Sequence, residues 1–176
     1  MTRPWEAPPA PGPFAARVDR FAALIPVIET DRFRLRAPRI GDFPIYARFL
    51  IDEAVDAAAD DSRESAWLDF CQLVASWPLR GFGSWTVEDR AGQPVGAVVV
   101  NHEFGDPEVE LGWVVAEGRE GQGIATEAAR GARAWLFATQ GLATLVSYID
   151  PANAASVAVA TRLGASRDPV AEAAIG

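Results

Sequence analysis

Between residues 109 and 140 the sequence changes period, and that change narrows the folds open to it. Val109-Glu-Leu-Gly-Trp-Val-Val115 reads as an extended strand, Gly118-Arg-Glu-Gly-Gln-Gly123 follows, and a long helix opens at Ile124 and runs to about Gln140. Glycines in such a turn let the chain approach a ligand closely. Successive N–H groups at the start of the helix then form an anion site, reinforced by the helix dipole.

The segments on either side complete the pattern. Ile28-Glu-Thr-Asp-Arg-Phe-Arg-Leu-Arg36 sets Phe33 and Leu35 on one face and Arg32, Arg34 and Arg36 on the other, which predicts a first strand. Asp42 is expected to N-cap a helix to about Leu50, with Pro44 in its first turn. Asp61 and Glu64 have capping-box spacing ahead of a second helix striped by Trp67, Phe70, Cys71, Val74 and Trp77, which Pro78 should end. On this reading Cys71 is core. Phe82–Glu88, Val95–Val100 and Val109–Val115 are expected as hairpin-linked antiparallel strands. After the long helix, Leu142–Ile149 reads as a strand, and a helix from near Asn153 to Leu163 stops at Gly164. The order β-α-α-β-β-β-α-β-α describes an α+β fold with a mixed, mainly antiparallel sheet flanked by helices. Residues 1–13 carry five prolines and are expected to form a flexible tail, with residues 14–176 as a single domain.

Composition removes several chemistries. There are 24 acidic residues against 16 cationic ones, a net charge of −8, and every cation is Arg. A nucleic-acid partner wants a basic face and is not expected. Without Lys there is neither a Walker-type phosphate loop nor a lysine Schiff base. One Cys and one His (His102) exclude a disulfide framework and a Cys/His zinc site within one chain, so no metal is expected. No apolar run approaches 18 residues and the N-terminus has no signal-like core, so neither a membrane span nor secretion is expected, and the reading is cytoplasmic. His102, just beyond a strand, is a lesser catalytic candidate.

On residues alone, the glycine turn has three readings: a tight turn with no ligand, a dinucleotide fingerprint, and a pyrophosphate cradle. The fingerprint fits poorly, because its third Gly would fall at Thr126 and the preceding strands are hairpins rather than a βαβ unit. The run Glu110-Leu-Gly-Trp-Val-Val-Ala-Glu-Gly-Arg-Glu-Gly-Gln-Gly-Ile-Ala-Thr-Glu-Ala128 resembles the acyl-CoA signature of the GNAT superfamily of N-acetyltransferases, in particular the branch that acetylates ribosomal-protein N-termini. The family motif Q/R-x-x-G-x-G/A aligns as Glu120-Gly-Gln-Gly123-Ile-Ala125, with Glu where the family has Gln or Arg and with Arg119 as a substitute. Ile28–Arg36 with Gly41-Asp-Phe43 resembles the family's opening, and Asp150-Pro-Ala-Asn153-Ala-Ala-Ser156 with Arg162-Leu-Gly164 its closing segment.

The resemblance implies acetyl transfer from acetyl-CoA to a primary amine, by direct attack in a ternary complex. The acceptor is either a protein N-terminus or a small-molecule amine. It further implies that the strand at Trp113, Val114 and Val115 pairs with the pantetheine arm. Glu120, Gly121, Gln122, Gly123, Ile124, Ala125 and Thr126 would hold the pyrophosphate, and Asn153 would bond the donor. Glu110, whose neighbours Val109 and Leu111 point to the opposite face, is the candidate base; Ser156 and Tyr148 are candidates to protonate the leaving thiolate. The acidic run from Asp52 to Glu64 would attract a cationic acceptor. The family continues into a further strand where this sequence has only Ala165–Gly176, so a truncated sheet or one completed in a homodimer is expected. The competing reading is a non-catalytic acyl-CoA-binding or protein-interaction module on the same fold.

Overall fold

The computed structural model describes residues 3–51, 60–169 and 171–172. A five-stranded antiparallel sheet forms the centre, in the order β1 (Ile28–Glu29), β2 (Phe33–Arg36), β3 (Trp85–Asp89), β4 (Pro94–Asn101), β5 (Glu110–Val115). Each strand pairs with the next in sequence; short turns join β1 to β2 and β3 to β4, whereas two helices intervene between β2 and β3. Helix α1 (Pro13–Ala22) precedes the sheet, α2 (Phe43–Leu50) and α3 (Asp60–Arg80) link β2 to β3, and α4 (Ile124–Gln140) and α5 (Ala154–Arg162) follow β5.

Alternation along β4 divides the core. Val98 and Val100 point toward α4, where Ile124, Ala128, Ala129, Ala132 and Leu136 make a stripe of mostly small residues that lets the helix lie close to the sheet. Ala97 and Val99 point the other way, toward Phe43 and Tyr46 of α2 and Phe70 and Leu73 of α3. The sheet is thus covered on both faces, which accounts for the unbroken apolar run in β4. Trp77, Trp85 and Trp135 meet edge to face at one end, with centroids 4.8–6.0 Å apart.

The α+β class and its flanked antiparallel sheet are as the sequence predicts, and α4 has the expected bounds. Several local expectations are corrected. The expected first strand is two strands, with Ile28 opposite Leu35. Thr30 makes the turn: its N–H donates to the Phe33 carbonyl (2.9 Å) and its hydroxyl oxygen accepts from the Phe33 N–H (3.0 Å), a closure that periodicity does not register. Asp42 precedes α2 but does not cap it with its side chain. Its carboxylate instead accepts from both terminal nitrogens of Arg36 (2.6 and 3.0 Å), from the Thr86 hydroxyl (2.8 Å) and from the Arg39 N–H (2.7 Å). Arg36 also donates to Glu88 at 2.5 Å. Burial by itself would depress the Arg36 pKa, but its bonds to Asp42 and Glu88 outweigh that and raise it.

Pro78 does not end α3, which continues to Arg80 and stops at Gly81, where φ is +78°. Trp77 keeps its place because its indole N–H donates to the Ser84 carbonyl (3.0 Å). Cys71 is exposed rather than core, since Ala66, Phe70, Leu73 and Trp77 are the residues that face inward. The strand expected at Leu142–Ile149 is reduced to one parallel bridge, Glu110 with Val146. In the proline-rich N-terminal segment, Pro4–Glu6 forms a single 3-10 turn, and Glu6 is buried against Arg63 at 2.7 Å. The acidic stretch 52–59 lies outside the described residues, as do the side chains of Asp60 and Asp61, and with them the expected capping box.

Candidate active site

Where β5 and the chain after Leu142 part company, the sheet opens into a cleft. Leu111 N–H donates to the Val146 carbonyl (2.8 Å) and Val146 N–H to the Val109 carbonyl (3.0 Å); past this bridge the two segments diverge. Pairing within β5 shows what the opening exposes. Ala116 N–H donates to Val95, so the even-numbered residues bond to β4 and the odd-numbered ones face the other edge. Leu111 is engaged there by Val146. Trp113 and Val115 therefore present their N–H groups to the cleft, a cavity of about 1130 Å³.

Beyond the end of β5 the cavity is lined by the glycine turn. Gly118, Gly121 and Gly123 all have positive φ, between +73° and +76°, which residues with a Cβ rarely adopt. The first backbone hydrogen bond of α4 runs from Glu127 N–H to the Gly123 carbonyl (3.1 Å), leaving the N–H groups of Ile124, Ala125 and Thr126 without helical partners. All three residues line the cavity. The arrangement suits a pyrophosphate: several convergent N–H donors, the positive end of a 17-residue helix, and glycines that keep Cβ atoms away.

The turn is held from outside by residues that the sequence reading did not single out. Glu127 accepts from the Thr30 hydroxyl (2.7 Å), the Arg32 N–H (2.8 Å) and Arg32 Nε (2.7 Å). Arg32 also donates to the Gln122 carbonyl at 3.0 Å, and a Cβ on Gly123 would meet its Nη2 at 3.2 Å. The β1–β2 turn is thereby clamped onto the start of α4 across more than 90 residues of sequence, a separation over which no local pattern could announce the pair. Arg48 on α2 donates to the Val115 carbonyl (3.3 Å) and pairs with Glu120 at 3.2 Å. The Glu120 carboxylate is thus committed to an arginine, and its pKa lies below the usual range, first through a hydrogen bond from its own backbone N–H. Arg119, the alternative phosphate contact, lines the cavity and approaches Asp89 at 3.7 Å.

Glu110 and Tyr148 stand together near the start of β5, and Ser156 lines the same cavity from α5. Glu110 is half-buried in the cavity wall. Burial pushes its carboxyl above the usual range, a hydrogen bond from the Tyr148 backbone partly offsets this, and Asp106 and Glu103 push it further up. Tyr148 also has a raised pKa, from desolvation first and then from Asp106, Glu110 and Glu108. Ser156 lies on the first turn of α5. Its N–H is accepted by Asn153 Oδ1 (3.0 Å), so the carboxamide oxygen of Asn153 serves as the helix cap while the residue lines the cavity.

Trp113, Val114, Val115, Glu120, Gly121, Gly123, Ile124, Ala125, Thr126 and Asn153 share the cavity with Glu110, Tyr148 and Ser156. Gln122 does not line it: its carbonyl accepts from Arg32 and its side chain turns back to the Gly118 carbonyl. His102 stands apart, with its ring nitrogens against Arg80 (3.1 Å) and the Asp106 carbonyl (3.1 Å). Among the described residues there is no cluster that could hold a metal ion, and no helix is long and apolar enough to cross a membrane.

A family model for the acetyltransferase (GNAT) domain matches residues 32–166. Among solved structures, an acetyltransferase from Agrobacterium tumefaciens is 38% identical, with 83% of this chain and 86% of that chain covered and a TM-score of 0.74. RimJ from Mycobacterium smegmatis, solved in complex with CoA-disulfide, is 20% identical over 78% of this chain and 74% of its own, with a TM-score of 0.60. A ribosomal-protein alanine acetyltransferase from Vibrio fischeri is 19% identical over 81% and 84%, with a TM-score of 0.62. The last two are alike in fold.

Proposed function

The chain belongs to the GNAT acetyltransferase family and is an N-acetyltransferase; from that premise we propose that it binds acetyl-CoA along the cleft and transfers the acetyl group directly to a primary amine in a ternary complex. The observation that carries the reading is the cavity itself. It has partnerless N–H groups at Ile124, Ala125 and Thr126 at one end and a half-buried carboxylate, Glu110, at the other.

Acetyl-CoA supplies an activated thioester. The N–H groups of Ile124–Thr126 and of Gly121 and Gly123 hold the pyrophosphate, and the exposed edge of β5 at Trp113–Val115 pairs with the amide-bearing arm. An N–H of that edge polarises the thioester carbonyl where negative charge develops. The amine must be neutral to attack, and α-amines titrate near ~8, alkyl amines near ~10.4. Glu110, directly or through a water, takes the proton; its raised pKa makes it a stronger base than an ordinary glutamate. Tyr148 returns a proton to the thiolate, and its raised pKa keeps the phenol protonated, with Ser156 as the other donor in reach of the cavity. The acceptor is a protein N-terminus or a small-molecule amine, and the setting is cytoplasmic.

Calorimetric titration with acetyl-CoA, followed by release of free CoA thiol across a panel of peptide and small-molecule amines, tests the proposal. Saturable one-to-one binding and amine-dependent thiol release are expected. Absence of binding would overturn it.

A further inference from the structure

Five arginines line the cavity: Arg32, Arg48, Arg119, Arg130 and Arg162. Three of them are paired with carboxylates, Arg32 with Glu127, Arg48 with Glu120 and Arg119 with Asp89. Arg130 and Arg162 are exposed and have no hydrogen bond, ion pair or ring contact among the described residues. Of the five arginines of the cavity, these two guanidinium groups alone lack an acidic partner among the described residues, in a chain of net charge −8.

They also share one region of the groove. Arg133, one helical turn after Arg130 on α4, donates to the Leu163 carbonyl, the residue next to Arg162. That contact seats the end of α5 against the middle of α4. Arg130 lies seven residues beyond Gly123, about 10 Å along the helix axis. A side chain on a helix leans toward the N-terminus, so Arg130 reaches back over the turn that separates it from the glycine loop. The N–H groups of the glycine turn and of Ile124–Thr126 already serve the pyrophosphate, and these arginines line the same groove, where a further phosphate on the same ligand would lie.

We infer that Arg130 and Arg162 recognise the 3′-phosphate of coenzyme A and make the enzyme discriminate CoA from its 3′-dephospho form. The inference rests on the acetyl-CoA reading above. A phosphomonoester is a compact anion with three acceptor oxygens, and the guanidinium fork matches it in geometry as well as in charge. An adenosine without that phosphate offers these side chains only weak partners.

The test compares acetyl-CoA with 3′-dephospho-acetyl-CoA by calorimetry, in the unaltered protein and in the R130Q/R162Q and R130K/R162K double variants. The unaltered protein is expected to bind acetyl-CoA about tenfold more tightly, a preference that weakens with salt. R130Q/R162Q should lose this preference while binding the dephospho form as before, and R130K/R162K should retain part of it. Equal affinity of the unaltered protein for the two thioesters would overturn the inference and leave the acetyl-CoA reading standing, as would a preference undiminished in R130Q/R162Q. Failure of either thioester to bind the unaltered protein would overturn the acetyl-CoA reading itself.

Discussion

At one end of the cleft, between Gly121 and Thr126, the groups that face the cavity are backbone N–H groups; at the other, around Glu110 and Tyr148, they are side chains. The first end is pre-formed by backbone conformation and locked from outside by Arg32 and Glu127. It can bind an anion whatever the pH. The second end depends on protonation states, which burial and neighbouring carboxylates have shifted. Binding of the donor and activation of the acceptor are therefore separable, and substitutions at the two ends should fail in different ways.

The largest effect is expected at the backbone end. Gly123→Val puts a β-branched residue at a φ of +76°, with its Cβ 3.2 Å from Arg32 Nη2. Strain of about 1–3 kcal/mol would distort the turn that aims the N–H groups. Calorimetry should then detect no saturable acetyl-CoA binding; retained affinity would show that the turn is not the donor site. Glu110→Gln should do the opposite, lowering kcat by roughly 10²-fold while leaving the donor Kd unchanged. A parallel loss of donor affinity would erase the distinction between the ends.

The pH profile sharpens the same contrast. Glu110 must be deprotonated to act as base, and its pKa is raised, so kcat/KM should fall as pH drops through a value above the ordinary glutamate range. The Glu110→Gln variant should lose that limb, and donor affinity should stay flat across it. Tyr148→Phe is expected to lower kcat by about tenfold or less; if Ser156→Ala has that effect instead, the thiolate's proton comes from Ser156. Smallest of all, Arg48→Ala removes an exposed pair with Glu120, which solvent screens, and should leave thermal and denaturant unfolding nearly unchanged.

How far the sequence reveals each end follows from the same difference. The phosphate turn is legible because its glycines are contiguous and its donors belong to the main chain, so spacing alone locates them. Glu110 and Tyr148 were found as single candidates. That the two act on one cavity depends on the bridge at Val146 and the divergence beyond it. Periodicity sets Arg32 with Arg34 and Arg36 on the face of a single strand opposite Phe33 and Leu35. Thr30 instead breaks that strand into a hairpin, and the turn carries Arg32 onto α4. Local sequence makes Asp42 a helix cap, but Arg36, Thr86 and the Arg39 N–H take its carboxylate instead. Pro78 signalled a helix end that packing of Trp77 overrode.

Periodicity, glycine placement and apolar runs act over a few residues, and they determined the antiparallel meander, the strand-turn-helix of the glycine loop and the bounds of α4. The exclusions that follow from having no Lys and one His needed no structure either. Only the tertiary structure decided which arginines are neutralised and which face the cavity free of a carboxylate, because an ion pair is chosen by distance in space and not along the chain. It likewise decided that the Glu110 carboxyl titrates above the usual range, since burial and the field of Asp106 and Glu103 exist only once the sheet has closed around them.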